Sequence, residues 1–156
     1  MQPTRTAVLV KPDGLQRGLI GEIINRFENK GLKLVGMKMT LMTDNMLDKW
    51  YEEHKGKDFF EDLKSFMGSQ PIVAMVWEGI DAVPVVRKLV GTTLGREAEA
   101  GSIRGDFGMS QQFNLIHASS EEDSAKHEIE IVFKQDELFD YEWPMGKLIY
   151  ADFERK

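Results

Sequence analysis

The 156-residue chain contains no cysteine, which excludes both a disulfide framework and a thiolate metal site. It also lacks an apolar run long enough to span a membrane, and its first residues, Met1–Arg5, carry no apolar signal core. We therefore expect a cytoplasmic protein with no membrane partner. The length, with 42% hydrophobic and 29% charged residues, is typical of one globular domain, which we assign to residues 1–156.

Positive charge is also scarce. The chain has 20 lysines and arginines against 26 aspartates and glutamates, which gives a formal net charge of −6. This balance, with no basic stripe interleaved with aromatics, argues against nucleic acid as a partner. A phosphorylated small molecule is not excluded, but it would need a few cationic side chains that converge locally, because the overall field repels it.

Apolar patterning predicts an α+β fold. The predicted strands are Thr6–Val10, Leu32–Leu41, Pro71–Glu78 and Phe113–His117, and the longer helices are Gly18–Lys30, Asp81–Val90 and Glu121–Phe133. The chain thus has two strand–helix–strand halves, which predict the ferredoxin-like β-α-β-β-α-β sandwich with an antiparallel four-stranded sheet. Two short predicted helices, one after Thr43 and one beginning near Asp58, indicate a helical hairpin over a cleft. Residues 94–104 are predicted to form a long loop before the last strand.

One histidine, His117, ends the last predicted strand, whose buried part we expect to be Phe113, Leu115 and Ile116. A side chain at such a junction between strand and helix lies at the rim of a sheet, where ligands bind. An imidazole there can offer a neutral, nucleophilic nitrogen near pH 7. Alternatively, it only hydrogen-bonds a neighbouring backbone group.

The residues after this histidine predict the start of the following helix. Ser119 and Ser120 are good N-cap residues, and the acidic Glu122 and Asp123 lie three positions further on. This spacing is that of a capping box.

A small set of polar residues could supply the converging cations. Lys11 directly follows the first strand and opens the Lys-Pro-Asp-Gly turn signal of residues 11–14, while Arg87, Thr93 and Arg104 lie on a helix and the loop after it. Two guanidinium groups and a hydroxyl can grip several phosphate oxygens at once. Taken singly, each of these residues could equally pair with an acidic side chain or reach into solvent.

Three motifs, in this order along the chain, resemble those of nucleoside diphosphate kinase. They are Lys-Pro-Asp-Gly at residues 11–14, Ile-Arg-Gly-Asp-Phe at residues 103–107, and Asn-x-x-His-x-Ser at residues 114–119. The resemblance extends from Thr6 to about Tyr150. It implies an enzyme that transfers the terminal phosphate of a nucleoside triphosphate to a nucleoside diphosphate, with ping-pong kinetics and little base specificity, through a phosphohistidine at residue 117.

The resemblance also assigns roles to further residues. Those implied in catalysis are Lys11, Tyr51, Asn114, His117, Ser119 and Glu128. Those implied in nucleotide binding are Lys11, His54, Phe59, Leu63, Arg87, Thr93, Arg104 and Asn114. Glu128 is implied to hydrogen-bond the imidazole, yet it lies roughly 12 Å along its helix from Ser120, so this contact requires the helix to fold back over the strand.

The chain departs from the family pattern at three positions. Ala118 and Ser120 replace a glycine and an aspartate after the histidine, and Ser120 puts the start of the helix in doubt. Gln111 replaces the apolar residue that faces the nucleobase opposite Phe59, which weakens the expected clamp on the base.

The resemblance further implies Mg²⁺ as the cofactor. Because no carboxylate cage is evident, we expect no protein metal site and a magnesium ion that arrives with the nucleotide. The expected partners are ATP, other nucleoside tri- and diphosphates, and copies of the same chain in a hexamer or a tetramer. The apolar Leu148–Tyr150 in the tail could dock on a neighbour or on its own domain.

Two other functions fit parts of the pattern. A ferredoxin-like regulatory module could bind a nucleotide through the same cations without turning it over, and His117 would then be dispensable. A nucleic-acid-binding domain can use the same fold, but it would need the basic stripe that this chain lacks.

Overall fold

The computed structural model describes residues 2–155, which form four strands and eight α-helices. The strands are β1 (Thr4–Val10), β2 (Lys33–Thr40), β3 (Ile72–Gly79) and β4 (Ile116–Ala118). The helices are α1 (Pro12–Gln16), α2 (Ile20–Lys30), α3 (Asp44–Trp50), α4 (Phe60–Gly68), α5 (Ala82–Val90), α6 (Ile103–Phe107), α7 (Glu122–Val132) and α8 (Gly146–Ile149). Short 3₁₀ helices cover Glu52–His54, Gly95–Glu97 and Gln135–Glu137.

The sheet has the order β2-β3-β1-β4, and every neighbouring pair is antiparallel. Two strand–helix–strand units, β1-α2-β2 and β3-α5-β4, interleave to produce this order. The predicted ferredoxin-like α+β fold with a four-stranded antiparallel sheet is therefore confirmed.

The two central strands, β1 and β3, are buried on both faces. On one face, Val8 and Trp77 belong to a core that includes Phe27 from α2 and Val86 from α5. On the other face, Leu9 packs in a second core with residues of α3, α4 and α7. Each fully buried large apolar side chain contributes roughly 1.5–3 kcal/mol to folding. The central strands therefore form a firm base for the chain segments at their ends.

Helix α2 ends as its sequence predicts. Gly31 adopts a left-handed conformation with φ 92°, and its N–H donates to the carbonyl of Glu28. A Cβ at this glycine would lie 2.7 Å from Ile149, which shows how closely the tail approaches. The Tyr150 hydroxyl also accepts a hydrogen bond from the N–H of Ile80 at 3.2 Å. The tail thus docks on its own domain, although Leu148 remains 80% exposed.

Two predicted boundaries in the loops were wrong. The turn predicted at residues 11–14 is mostly helix α1, which Pro12 can begin because the first helical residue needs no N–H. The long loop predicted over residues 94–104 ends at Ser102, whose hydroxyl accepts from the N–H of Gly105 and caps α6. Arg104 therefore lies on a helix.

The last strand is shorter than predicted, because it includes only Ile116–Ala118. Leu115 has φ 74°, which breaks the extended conformation just before the strand. Phe113 is exposed rather than buried, while Leu115 and Ile116 are buried as expected.

The predicted capping box was also wrong. Helix α7 begins at Glu122 after Glu121, with no side-chain cap. The Ser119 hydroxyl is buried and bonds elsewhere, and that of Ser120 donates to Ser124.

The predicted helical hairpin is present as α3 and α4, which contact each other. Thr43 caps α3, because its hydroxyl accepts from the N–H of Met46 at 3.3 Å. Helix α4 starts at Phe60, two residues later than the predicted start near Asp58. Among residues 2–155, no helix combines the length and the apolar character needed to cross a membrane.

Candidate active site

A strained turn precedes the histidine. The N–H of Ile116 donates to the carbonyl of Asn114 at 2.8 Å, which closes a γ-turn around Leu115 with its φ of 74°. For a residue other than glycine, this conformation costs roughly 1–3 kcal/mol of free energy, so surrounding contacts must maintain it. Directly after the turn, β4 pairs with β1 and places His117 opposite Leu9.

The Lys-Pro-Asp-Gly motif supplies those contacts. The N–H of Lys11 donates to the Leu115 carbonyl at 2.9 Å, and the Asp13 carboxylate accepts from the Leu115 N–H at 3.0 Å. Gly14 permits the close approach, because a Cβ there would lie 2.6 Å from the Leu115 oxygen. The motif therefore wraps around the turn that precedes His117.

The imidazole of His117 is held from one side. Its Nε2 lies 2.9 Å from Oε1 of Glu128, and the other carboxylate oxygen accepts from the Ser119 hydroxyl at 2.6 Å. Helix α7 thus does fold back over the strand. An ionised carboxylate only accepts hydrogen bonds, so Nε2 is the protonated nitrogen and Nδ1 keeps its lone pair. The His117 side chain is 26% exposed, so a ligand can reach it.

Residues at the end of α3 surround the same ring. The Trp50 indole packs on His117 at a centroid distance of 5.0 Å and an angle of 70°. Burial, and to a smaller extent the charge of Glu128, raise the pKa of the neighbouring Tyr51, so its hydroxyl stays protonated. His54 stacks on Tyr51 at 6.1 Å. These residues and His117 line a cleft of about 310 Å³.

A cationic cluster lies beside the turn. Lys11 is only 9% exposed, and its ammonium group donates to the Asn114 side-chain oxygen at 2.7 Å. The Asn114 amide in turn donates to the carbonyls of Thr93 and Gln111 at 2.9 and 2.7 Å. Asn114 therefore connects Lys11 to the loop that carries Thr93, whose side chain is exposed.

The two arginines of the cluster have different environments. The buried Arg104 guanidinium donates to the carbonyls of Gly91, Asn114 and Ile116. A guanidinium has five N–H groups, so Arg104 retains donors for a ligand. Arg87 is exposed on α5 and has no hydrogen bond or ion pair with any residue that the structure describes.

The electrostatics of this cluster favour an anion. Burial, and to a smaller extent the charge of Arg104, lower the pKa of Lys11 from 10.5 to about 8, while Asp13 acts in the opposite direction. Burial and the charge of Arg87 lower the pKa of Arg104 to about 10. The three cations thus disfavour one another's charge, and a phosphate among them would relieve that repulsion.

The helical hairpin bounds the other side of the site. Phe59 is 47% exposed and contacts His54 edge-on at 5.5 Å, and the half-buried Leu63 is one turn further along α4. Phe66 of α4 packs against Phe113 at 4.8 Å, so the hairpin contacts the loop that leads to Asn114. Of the predicted nucleotide-binding residues, His54, Phe59 and Leu63 therefore lie in the hairpin. The others lie at the end of β1, on α5 and α6, and in the loops after these two helices: Lys11, Arg87, Thr93, Arg104 and Asn114.

Among residues 2–155 no three His, Cys, Asp or Glu side chains form a group that could hold a metal ion. The buried, unpaired oxygen of Asp13 does not fit a cation site, since its carboxylate already interacts with the positive charges of Lys11 and Arg104.

A family model described as nucleoside diphosphate kinase matches residues 4–138. The chain belongs to the nucleoside diphosphate kinase family. It is 51% identical to the nucleoside diphosphate kinase of Staphylothermus marinus over 141 residues, which are 90% of this chain and all of that protein. Over 136 residues it is 53% identical to that of Methanocaldococcus jannaschii, with 87% and 97% of the two chains covered.

Solved structures agree with this assignment. The halophilic nucleoside diphosphate kinase from Halobacterium salinarum, solved in complex with CDP, superposes with a TM-score of 0.94 at 46% identity and covers 96% of this chain and 100% of that one. A nucleoside diphosphate kinase family protein from Babesia bovis gives 0.92 at 47% identity, with 94% and 99% covered.

This family consists of phosphotransferases that move the terminal phosphate from one nucleotide to another through a phosphohistidine intermediate, and the chain is such an enzyme. Its nucleotide substrates follow from the same membership.

The sequence did not single out Trp50 or Asp13. Trp50 follows the helical apolar spacing of Met46 and Leu47, which is equally typical of a core residue. Asp13 appeared only as a turn residue, since its contact with Leu115 joins positions far apart in the chain.

Proposed function

We propose that His117 is the residue that becomes phosphorylated, through Nδ1. The observation that carries this proposal is the 2.9 Å contact between Nε2 and Glu128, which leaves Nδ1 unprotonated and available to react. The Nδ1 lone pair attacks the terminal phosphorus of a nucleoside triphosphate, and the bond to the bridging oxygen breaks to release the diphosphate. A second diphosphate attacks the same phosphorus through its terminal oxygen, and the P–N bond returns its electrons to Nδ1.

The cations act on the transferred group by charge and position. In our proposal Lys11, Arg87 and Arg104 neutralise the phosphate oxygens, and the Thr93 hydroxyl donates to them. Asn114 acts one step away, because its amide fixes the Lys11 ammonium and the Thr93 backbone.

A second group of residues keeps the imidazole in place. Ser119 donates to Glu128, and Glu128 holds Nε2 through both steps, so the proton on Nε2 never has to leave. Tyr51, whose hydroxyl is kept protonated by burial, lines the same cleft as His117 and Glu128, and we assign it to orienting the imidazole.

We assign the base and sugar to the hairpin. The exposed ring of Phe59 offers a stacking face that accepts any base, which suits an enzyme with little base specificity. Leu63 provides apolar contact from the next turn of α4, and we assign His54 to a phosphate contact. With Gln111 opposite, stacking on Phe59 is one-sided.

Mg²⁺ enters this proposal with the nucleotide. Bound to the nucleotide, it would reduce the charge of the phosphate groups, and Lys11, Arg87 and Arg104 would neutralise the charge that remains.

The exposed edge of the sheet supports a homo-oligomer, a hexamer or a tetramer. Strand β2 is an edge strand, and Met37, Met39 and Leu41 are more than half exposed along one face of it, close to the exposed Phe139 and Tyr141. We further propose one domain over residues 1–156, a cytoplasmic location, and no nucleic-acid or membrane partner.

Labelling with γ-³²P-ATP tests the proposal. The wild-type protein is expected to acquire acid-labile phosphate and lose it when a nucleoside diphosphate is added. His117→Ala is expected to remain unlabelled but still to bind nucleotide, while the control His127→Ala, an exposed histidine of α7, is labelled normally. Labelled His117→Ala protein, or nucleotide bound without labelling of the wild type, would refute it.

A further inference from the structure

Asp13 is a half-buried acidic residue for which the mechanism above has no role. One of its carboxylate oxygens accepts from the Leu115 N–H at 3.0 Å. The other, Oδ1, is buried and has no hydrogen-bond partner among residues 2–155. Burying a carboxylate oxygen without a partner is unfavourable. A backbone N–H could be satisfied by a neutral acceptor, so the turn alone does not explain a charged group here.

The charges that face Asp13 are positive. Lys11, at the end of β1, and Arg104, on α6, both interact with its carboxylate. Arg87 of α5 adds a third positive charge that acts on Arg104. The other polar side chain at Lys11 is Asn114, which is neutral. Asp13 is thus the negative group that Lys11 and Arg104 share.

We propose that Asp13 is a positioning residue of the phosphoryl-transfer site, which holds the Leu115 turn and provides the counter-charge that keeps Lys11 cationic. The turn role follows from the hydrogen bond, and the charge role from the unpaired oxygen among the cations. The inference rests on the proposed function, because it assumes that Lys11 must be charged to bind phosphate.

The charge role has a consequence for pH dependence. Lys11 has a pKa of about 8, so it is cationic below that pH and loses its proton above it. Asp13 is the group that raises this pKa against burial and Arg104. Removing its charge lowers the pKa of Lys11 further, so that the cation is lost at a pH where the wild type keeps it.

Asp13→Asn separates the two roles, since its amide oxygen can still accept from Leu115 but carries no charge. The pH profile of kcat/KM reports ionisations of the free enzyme. We expect the alkaline limb to move to lower pH by about one unit in Asp13→Asn, which means about fivefold lower kcat/KM at pH 8 and little change at pH 6. Asp13→Ala also removes the acceptor for the Leu115 N–H. It is therefore expected to show the same shift and, in addition, a lower kcat at every pH.

The controls isolate Lys11 as the titrating group. Glu28→Gln removes an exposed carboxylate of α2 and is expected to match the wild type. In a Lys11→Arg background Asp13→Asn is expected to cause no shift, because the guanidinium stays charged. The position of a pH limb does not depend on how much of the variant is folded, so reduced stability does not obscure the result.

An unshifted limb in Asp13→Asn, or an equal loss at all pH values, would overturn the charge role. An equal shift in the Lys11→Arg background would do so too. The proposed function fails separately, if the wild type forms no phosphohistidine.

Discussion

Glu128 and Trp50 contact His117 in two different ways. The carboxylate of Glu128 bonds one nitrogen of the ring, and the indole of Trp50 packs against the ring system at 5.0 Å. In our proposal the first contact selects the nitrogen that reacts, and the second limits rotation of the ring. The sequence predicted the first through resemblance, but the second depends on how α3 packs against α7.

Glu128→Gln is expected to reduce kcat by about 10- to 100-fold, since it weakens a charge-assisted hydrogen bond worth about 1.5–3 kcal/mol. The neutral amide can still form a hydrogen bond with Nε2. It can donate as well as accept, however, so it no longer fixes which ring nitrogen carries the proton. Single-turnover transfer measures the effect, with the exposed Glu130→Gln as the control. Unchanged transfer in Glu128→Gln would refute this role.

Replacement of Trp50 by leucine is expected to slow phosphorylation of His117 about 2- to 10-fold, because an aromatic pair contributes about 0.5–1.5 kcal/mol. Phosphorylation should also change the emission of the wild-type protein, since Trp50 lies against the ring that is modified. Trp50→Phe keeps an aromatic ring and should restore the rate without the emission change. A persisting change would mean that Trp77 or Trp143 is the reporter.

The γ-turn at Leu115 is the element that sets the geometry of the site. Residues 113–117 were predicted as one strand because their apolar content favours extended backbone, yet a turn held by long-range contacts interrupts it. The strands β1 and β3 and helix α2 were predictable, because their periodicity reflects which faces are buried. The turn was not, because its partners Lys11, Asp13 and Gly14 are about a hundred residues away.

The same reasoning applies to the start of α7. Local spacing predicted that Ser119 would cap the helix, but its hydroxyl accepts from the N–H of Ala7 and donates to Glu128. A tertiary bond to a buried carboxylate therefore replaced a local cap.

Gly14→Ala is expected to destabilise the protein by about 1–3 kcal/mol and to reduce activity, because its Cβ would meet the Leu115 oxygen at 2.6 Å and that oxygen belongs to the turn. Urea unfolding measures the change. Gly21→Ala is the matched control: it lies in α2 with nothing within 4 Å, so it is expected to stabilise by about 0.5–1 kcal/mol. If the two substitutions changed the free energy of unfolding equally, the close approach of Gly14 to the Leu115 carbonyl would not matter for stability, which would contradict this prediction.

At the scale of the whole molecule, charge and assembly act together. A net charge of −6 repels a nucleotide on average, and in our proposal Lys11, Arg87 and Arg104 supply the local positive charge that attracts one. The sequence could predict the need for such a cluster and, by resemblance, its members. It could not predict that Arg104 would be largely engaged with backbone carbonyls, which leaves Arg87 as the exposed cation.

Met39→Glu is expected to reduce the oligomer mass measured by light scattering, because it places a charge in the middle of the exposed apolar edge of β2. Lys126→Ala changes the net charge by the same amount at an exposed position of α7 and should leave the mass unchanged. A monomeric wild type, or a mass that Met39→Glu does not alter, would contradict the assembly through this edge.

The position of the phosphoryl group on the imidazole tests the account most directly. Phosphorus NMR of the protein, phosphorylated by ATP and freed of nucleotide, distinguishes phosphate on Nδ1 from phosphate on Nε2. Because Glu128 holds Nε2 at 2.9 Å, we predict a single signal from Nδ1-phosphohistidine, absent in His117→Ala. A signal from Nε2-phosphohistidine, or from any other residue, would contradict it.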